Sequence, residues 1–319
     1  MCPEQENKAQ LAANNVSKIR ESFITIGALR IPLREIGPAD GVVILMLHGF
    51  PDCHHSFDFQ LPVLAASGYR VIAPGLRGYS SGTISSNGDY FTTTIAQDII
   101  GLMDVLNIDQ CHLVGHDWGG IIGWITIAMY PDRFLTYTSL AIPPLYGMSK
   151  TAWRYPSQLC KSWYIFFFQL RGIAERKLAQ NDFAFIERLW RIWSPNWIWP
   201  SDTMAHVKET FRQPGVPRAA LGFYRHLFYL FSRQNRQAQS LIGKQIYTPC
   251  LVLHGKSDGA LDSRIAACSI IESQFTQGVT FHVLDGAGHF LHLEQPEQVN
   301  RLLLDFLVAQ SKSSDILNN

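Results

Sequence analysis

A chain of 319 residues with 47% apolar and 17% charged residues has ample material for a buried core and lies far from the composition of disordered chains. Lysine plus arginine (27) and aspartate plus glutamate (26) nearly cancel, so there is none of the overall basic excess that nucleic acid or an anionic lipid surface attracts. Such a length suits one core carrying an inserted segment.

The start, MCPEQENKAQLAANN, is polar and lacks a basic stretch followed by an apolar one, so a cytoplasmic protein is expected. Residues 1–21 and 311–319 are expected to be flexible termini. The six cysteines (Cys2, Cys53, Cys111, Cys160, Cys250, Cys268) show no paired spacing and read as structural or incidental. Residues 22–35 are assigned an antiparallel edge pair.

From Gly41 onward, short β-branched runs alternate with longer amphipathic stretches, the pattern of a mostly parallel sheet with helices on both faces. The predicted strands are 41–49, 70–78, 111–117, 136–142, 249–255 and 279–286, and helices are predicted around 90–106, 119–130, 262–274 and 296–310. Between them, 146–239 is rich in Trp, Phe, Arg and Gln and contains no strand pattern. It reads as a helical insertion, a lid over the sheet edge where ligands of such folds bind, on a core made of 22–145 and 240–310. The longest apolar stretch, Ile121–Tyr130, is too short to span a membrane.

LVGHDWGG sets Gly115, Asp117 and Gly119 between an apolar strand and an apolar helix. This is the spacing of a nucleophile elbow, where glycines two residues either side relieve a sharp strand-to-helix turn. An aspartate that merely caps a helix is the simpler alternative. Two further residues tip the balance. Asp258, in HGKSDG, and His289, in GAGHF, follow the last two strands and give the chain order nucleophile, acid, histidine. Asp262 is the weaker choice of acid. HGFPD, at 48–52, closes the first buried strand with a tight loop, so the backbone N–H groups of Phe50 and Trp118 are the expected oxyanion donors.

HGFPD, GYRVIAPGLRGY, GHDWGG and GAGHF together resemble the epoxide hydrolases of the α/β-hydrolase superfamily, over about Phe23 to Leu307. The resemblance implies an α/β-hydrolase fold with a mostly parallel eight-stranded sheet flanked by helices and an inserted helical cap. It also implies that Tyr164, in SWYIFFFQL, and Tyr224, in ALGFYR, are the ring-opening tyrosines. Sequence pattern alone would make both packing residues. The chemistry suits them nonetheless, because an opening epoxide develops an alkoxide and needs donors that stay protonated near neutral pH.

The expected reaction is attack by the Asp117 carboxylate, which needs no base, to give an alkyl-enzyme ester. Water activated by His289, itself oriented by Asp258, then hydrolyses the ester to a vicinal diol. No metal or organic cofactor is expected; the partners are a small apolar epoxide and water, with Trp118 and Phe50 meeting the substrate. The Trp-rich run 190–200 reads as cap packing, with one ring lining the pocket as the less favoured alternative; His54 and His55 read as loop residues, and Arg77 as a loop tie. One rival is a haloalkane dehalogenase with the same acid and histidine, weakened by Phe50 where that family carries a polar residue. Fluoroacetate-type dehalogenases carry arginines where Trp118 and Gly119 stand. A third rival is a non-catalytic hydrolase-fold binding protein.

Overall fold

The computed structural model describes residues 18–317. Its centre is one eight-stranded sheet in the order β1-β2-β4-β3-β5-β6-β7-β8. The strands are β1 (Arg20–Ile26), β2 (Leu29–Ile36), β3 (Val43–Leu47), β4 (Arg70–Pro74), β5 (Cys111–His116), β6 (Phe134–Leu140), β7 (Cys250–Gly255) and β8 (Val279–Leu284). β1 and β2 pair antiparallel, as does β2 with β4, and every later pairing is parallel.

Burial follows the pattern of the sequence. β3, β5 and β7 are buried at every residue, as strands covered on both faces must be, and their near-continuous apolar runs are what made them readable. The covering helices in the first half are α1 (Leu61–Ala66), α2 (Thr92–Val105) and α3 (Trp118–Met129). After β7 come α11 (Ser263–Cys268), α12 (Leu291–Glu294) and α13 (Pro296–Leu317). The long helix expected over 262–274 is instead the short α11 followed by a separate 3-10 turn, Glu272–Gln274.

Between β6 and β7 the described chain is helical, as expected: α4 (Leu145–Thr151), α5 (Ser157–Lys161), α6 (Trp163–Phe167), α7 (Ile173–Trp193), α8 (Ser201–Arg212), α9 (Val216–His226) and α10 (Arg233–Ile242). α7 is broken at Gln180–Phe183, where Asn181, Asp182 and Phe183 adopt left-handed backbone angles. Lys208 and Arg212 of α8 bind Asp182 at 3.1 and 2.5 Å and hold the break.

Where the segments expected to be flexible termini are described, they take regular structure. β1 begins at Arg20 because it pairs along its length with β2, and Arg20 meets Glu35 at 3.3 Å. α13 runs to Leu317, since no Gly or Pro follows Pro296 to stop it. The remainder of those expected termini, 1–17 and 318–319, lies outside the described residues. Among the described residues, no helix is long and apolar enough to cross a membrane.

Candidate active site

Parallel strands end on one edge of a sheet, and four such ends deliver the site. Asp117 follows β5 and opens α3 with φ 51° and ψ −118°, a left-handed backbone that exposes its side chain at a sharp turn. The flanking glycines are sterically required. A Cβ on Gly115 would lie 2.3 Å from the Gly119 carbonyl oxygen, and one on Gly119 would lie 2.1 Å from that of Leu47. The β3 loop brings the Phe50 N–H to donate to Asp117 Oδ1 at 2.7 Å. Trp118, first residue of α3, carries an N–H with no partner inside its own helix.

The loops after β7 and β8 supply the other expected groups. His289 Nδ1 lies 2.8 Å from Asp258 Oδ2, and His289 Nε2 lies 3.3 Å from Asp117 Oδ2. Asp258 Oδ1 accepts the N–H groups of Ala260 and Leu261 at 2.7 and 2.9 Å, which fixes the carboxylate behind the ring. Asp262, the weaker choice, is engaged by Arg264 at 2.7 Å. All three of Asp117, Asp258 and His289 are buried.

Electrostatics bind the three together. Burial by itself lowers the pKa of His289, but the charge of Asp258 and the contacts with Asp117 outweigh it and raise it to about 10. Burial raises that of Asp258, and the adjoining His289 reverses the shift and holds the carboxyl below its usual range. The arrangement thus favours the protonated imidazole and the ionised Asp258 carboxyl together.

Tyr164 on α6 and Tyr224 on α9 face this group, their rings 5.8 Å apart and nearly perpendicular. Burial, and then the charge of Asp117, push both phenols well above their ordinary pKa, so they stay protonated. The Tyr224 hydroxyl is buried and makes no well-formed hydrogen bond. A cavity of about 280 Å³ is lined by Asp117, Trp118, Tyr164, Tyr224 and His289, with apolar walls that include Ile142 and Leu227.

Phe50 does not line this cavity, contrary to its expected contact with substrate. Its ring is fully buried against Phe168, Phe211 and Tyr224, because the tight loop that aims its N–H at Asp117 leaves the side chain under the helical insertion. Trp118 does line it. Arg77 pairs with Asp98 at 2.6 Å as a tie, and His55 stacks on His206 at 3.9 Å.

Sequence reasoning allowed one ring of the Trp-rich run near the site without identifying Trp193. Its ring stands 5.1 Å from that of His289 and 4.9 Å from that of Tyr164, while its carbonyl accepts the N–H groups of Gly259 and His289, each at 3.0 Å. The Trp-rich run marked packing, but nothing in it distinguished this ring from Trp190, which stacks on Phe290 at 4.1 Å. Also missed was a buried polar layer beneath Asp117. Ser56 Oγ donates to Asp52 Oδ2 at 2.5 Å and sits 2.8 Å from His292 Nε2, and His116 Nε2 lies 3.0 Å from the His289 carbonyl. Asp52, His116 and His292 bring ligand-type atoms within 4.8 Å of one another, as do His55, Asp58 and His206 nearer the surface. In the buried set each residue makes one of these hydrogen bonds, tying the loops above together, while His116 Nδ1 and His292 Nδ1 are buried without a partner.

Comparison with known proteins bears on the fold and the family. A family model described as alpha/beta hydrolase fold matches residues 42–296. "Epoxide hydrolase 2" of Caenorhabditis elegans is 32% identical over 304 residues, covering 91% of this chain and 80% of that protein. "AB hydrolase superfamily protein YfhM" of Bacillus subtilis (strain 168) is 30% identical over 295 residues, covering 92% of this chain and 99% of that protein. Among solved structures, Epoxide Hydrolase A from Mycobacterium thermoresistibile superposes with a TM-score of 0.76 at 25% identity, covering 91% of this chain and 98% of that one. With its sheet order, its elbow and these relatives, the chain belongs to the epoxide hydrolase family of the α/β-hydrolase superfamily.

Proposed function

We propose that this hydrolase opens apolar epoxides to vicinal diols, with Asp117 as the nucleophile. Residues 146–239 are read as the cap and 22–145 with 240–310 as the core. The observation that carries the reading is that two protonated phenols, Tyr164 and Tyr224, share one apolar cavity with the Asp117 and His289 pair. A site that only cleaved esters would have no use for two acids poised opposite a carboxylate.

Asp117 Oδ2, the oxygen free of the Phe50 N–H, attacks a ring carbon. The new carbon–oxygen bond forms as the ring bond breaks, and the departing oxygen takes a proton from one of the tyrosines. Esterification removes the charge of Asp117, one of the two carboxylates that held the proton on His289, and the imidazolium returns a proton to the phenolate. Neutral His289, kept in register by Asp258, then takes a proton from water, which attacks the Asp117 carbonyl carbon. Phe50 and Trp118 N–H groups hold the resulting oxyanion on Oδ1. Collapse expels the diol oxygen, which takes the proton of the regenerated carboxyl, and every group returns to its starting state.

Bromide or fluoride as leaving group has less support, because the Phe50 ring is turned into the packing between core and insertion. The test is to incubate wild type and His289→Gln with styrene oxide, measuring diol and weighing the intact protein. A mass gain of one styrene oxide on Asp117 in the variant, with diol made by the wild type alone, is expected. Diol formation by Asp117→Asn at the wild-type rate would overturn the reading.

A further inference from the structure

The near-neutral total charge hides a segregation. From Phe134 to Ala174, and again from Thr210 to Ser257, the chain contains no aspartate or glutamate. These are the stretches that supply α4, α5, α6, α9 and α10, and the first of them carries Lys150, Arg154, Lys161 and Arg171. Arg233 and Arg236 on α10 add two exposed cations. Acids bordering these elements are already paired, Asp262 with Arg264 at 2.7 Å and Glu175 with Arg225 at 2.8 Å.

The same elements expose large apolar side chains. Trp153 is 73% exposed, Leu159 68% and Phe231 89%. Phe166 and Phe228 are exposed and pack on one another at 5.8 Å, and Leu230 is exposed beside them in sequence. Clustered exposed apolar residues of this kind mark an interaction surface. This one surrounds an opening, because Ser149, Gln158, Ser162, Ile165 and Leu227 of the same elements line the cavity that contains Asp117, and Ser149 is exposed.

We propose that this face docks on an anionic lipid bilayer, with the cavity mouth turned toward the membrane. Two observations choose the bilayer over a second copy of the chain. Apposing two copies would set cations against cations, the bordering acids Asp262 and Glu175 being taken up by Arg264 and Arg225. Aromatic and aliphatic side chains interleaved with lysine and arginine are, by contrast, the make-up of an interfacial surface, in which apolar groups enter the headgroup boundary and cations meet anionic headgroups. Docking in this way would let an apolar substrate pass from lipid to cavity without crossing water. That consequence rests on the proposed function, whereas the docking itself does not.

The test is flotation of the full-length protein with vesicles of phosphatidylcholine alone and of phosphatidylcholine mixed with phosphatidylglycerol. Wild type should float with the anionic vesicles, float far less with the neutral ones, and be released by salt. Each surface cation is worth about fivefold in partition, so R233E/R236E should lose at least ~20-fold. L230S/F231S, which alters only exposed side chains, should lose binding to both vesicle types while keeping its circular dichroism and its turnover of a water-soluble epoxide. Flotation equal on both vesicle types, or absent from both, would overturn the proposal. So would a sedimentation-velocity dimer that L230S/F231S dissociates, because the face would then belong to a second copy. Vesicle binding by an enzyme inactive on every epoxide would leave the docking standing and remove the proposed chemistry instead.

Discussion

Asp258 Oδ2 sits 2.8 Å from His289 Nδ1, and the charge of Asp258 contributes most to raising the imidazole's pKa against burial. Replacing Asp258 by Asn keeps the shape and removes the charge. On the proposed route, hydrolysis of the ester should slow by about 10²- to 10⁴-fold while attack by Asp117 is largely spared. The adduct should therefore accumulate during turnover, as read by intact-protein mass at steady state. An unchanged steady-state mass together with slow turnover would place the defect before the ester.

Tyr164→Phe and Tyr224→Phe remove one donor each and leave the rings in place. Each single change should lower epoxide turnover by about 10-fold or more, and the double change by at least ~10³-fold, the range of general-acid catalysis. Single-turnover rates of adduct formation in a His289→Gln background isolate this step. If the double variant forms the adduct at the parent rate, the tyrosines only pack.

Gly119 touches core backbone more closely than any side chain allows, at 2.1 Å for an added Cβ against the Leu47 carbonyl oxygen. Gly119→Ala should cost at least about 2–3 kcal/mol, the upper range for overpacking, and lower the urea midpoint accordingly. A midpoint within error of wild type would mean that the elbow adjusts freely.

Several histidines are buried in the neutral form. Burial lowers His48 and His116 to about 3 and His112 to about 4. The folded pKa of each is depressed below the unfolded value near 6.5, so protonation favours the unfolded chain. Stability should be fully present above pH 6.5 and fall as pH drops toward 4, by about 1.4 kcal/mol per pH unit for each such histidine. His289, whose folded pKa is raised, is protonated in both states below pH 6.5 and adds no slope in this window. Urea unfolding at pH 7.5, 6, 5 and 4 checks the slope, and a flat profile would show that these rings are solvated.

The sheet was legible because strands buried on both faces are written as continuous apolar runs, as in Val43–Leu47 and Cys111–His116. Asp117 and Asp258 were legible as candidates because each follows such a strand, and His289 because it follows β8, the edge strand beside β7. What the sequence could not reveal depends on contacts between distant segments. Phe50 looked like a pocket residue and became packing, since its direction is set by the insertion above it. Trp193 acquired its place beside His289 only when α7 folded down on the β8 loop. The charge segregation of the insertion was in plain view, but a net charge summed over the whole chain averaged it away.

The carbonyl of Trp193, which accepts the N–H groups of both Gly259 and His289, acts as a clasp at the C-terminal end of α7. Swinging that end away would tear the loops that hold the acid and the histidine, so it cannot serve as a door. Breathing motions that admit substrate must then leave α5 in place as well, since Lys161 Nζ donates to the Asp258 carbonyl at 2.6 Å and Gln158 Nε2 to that of Ala260 at 2.8 Å, and be widest at the end of α9. Entry could loosen there on every cycle while the reacting groups keep their alignment.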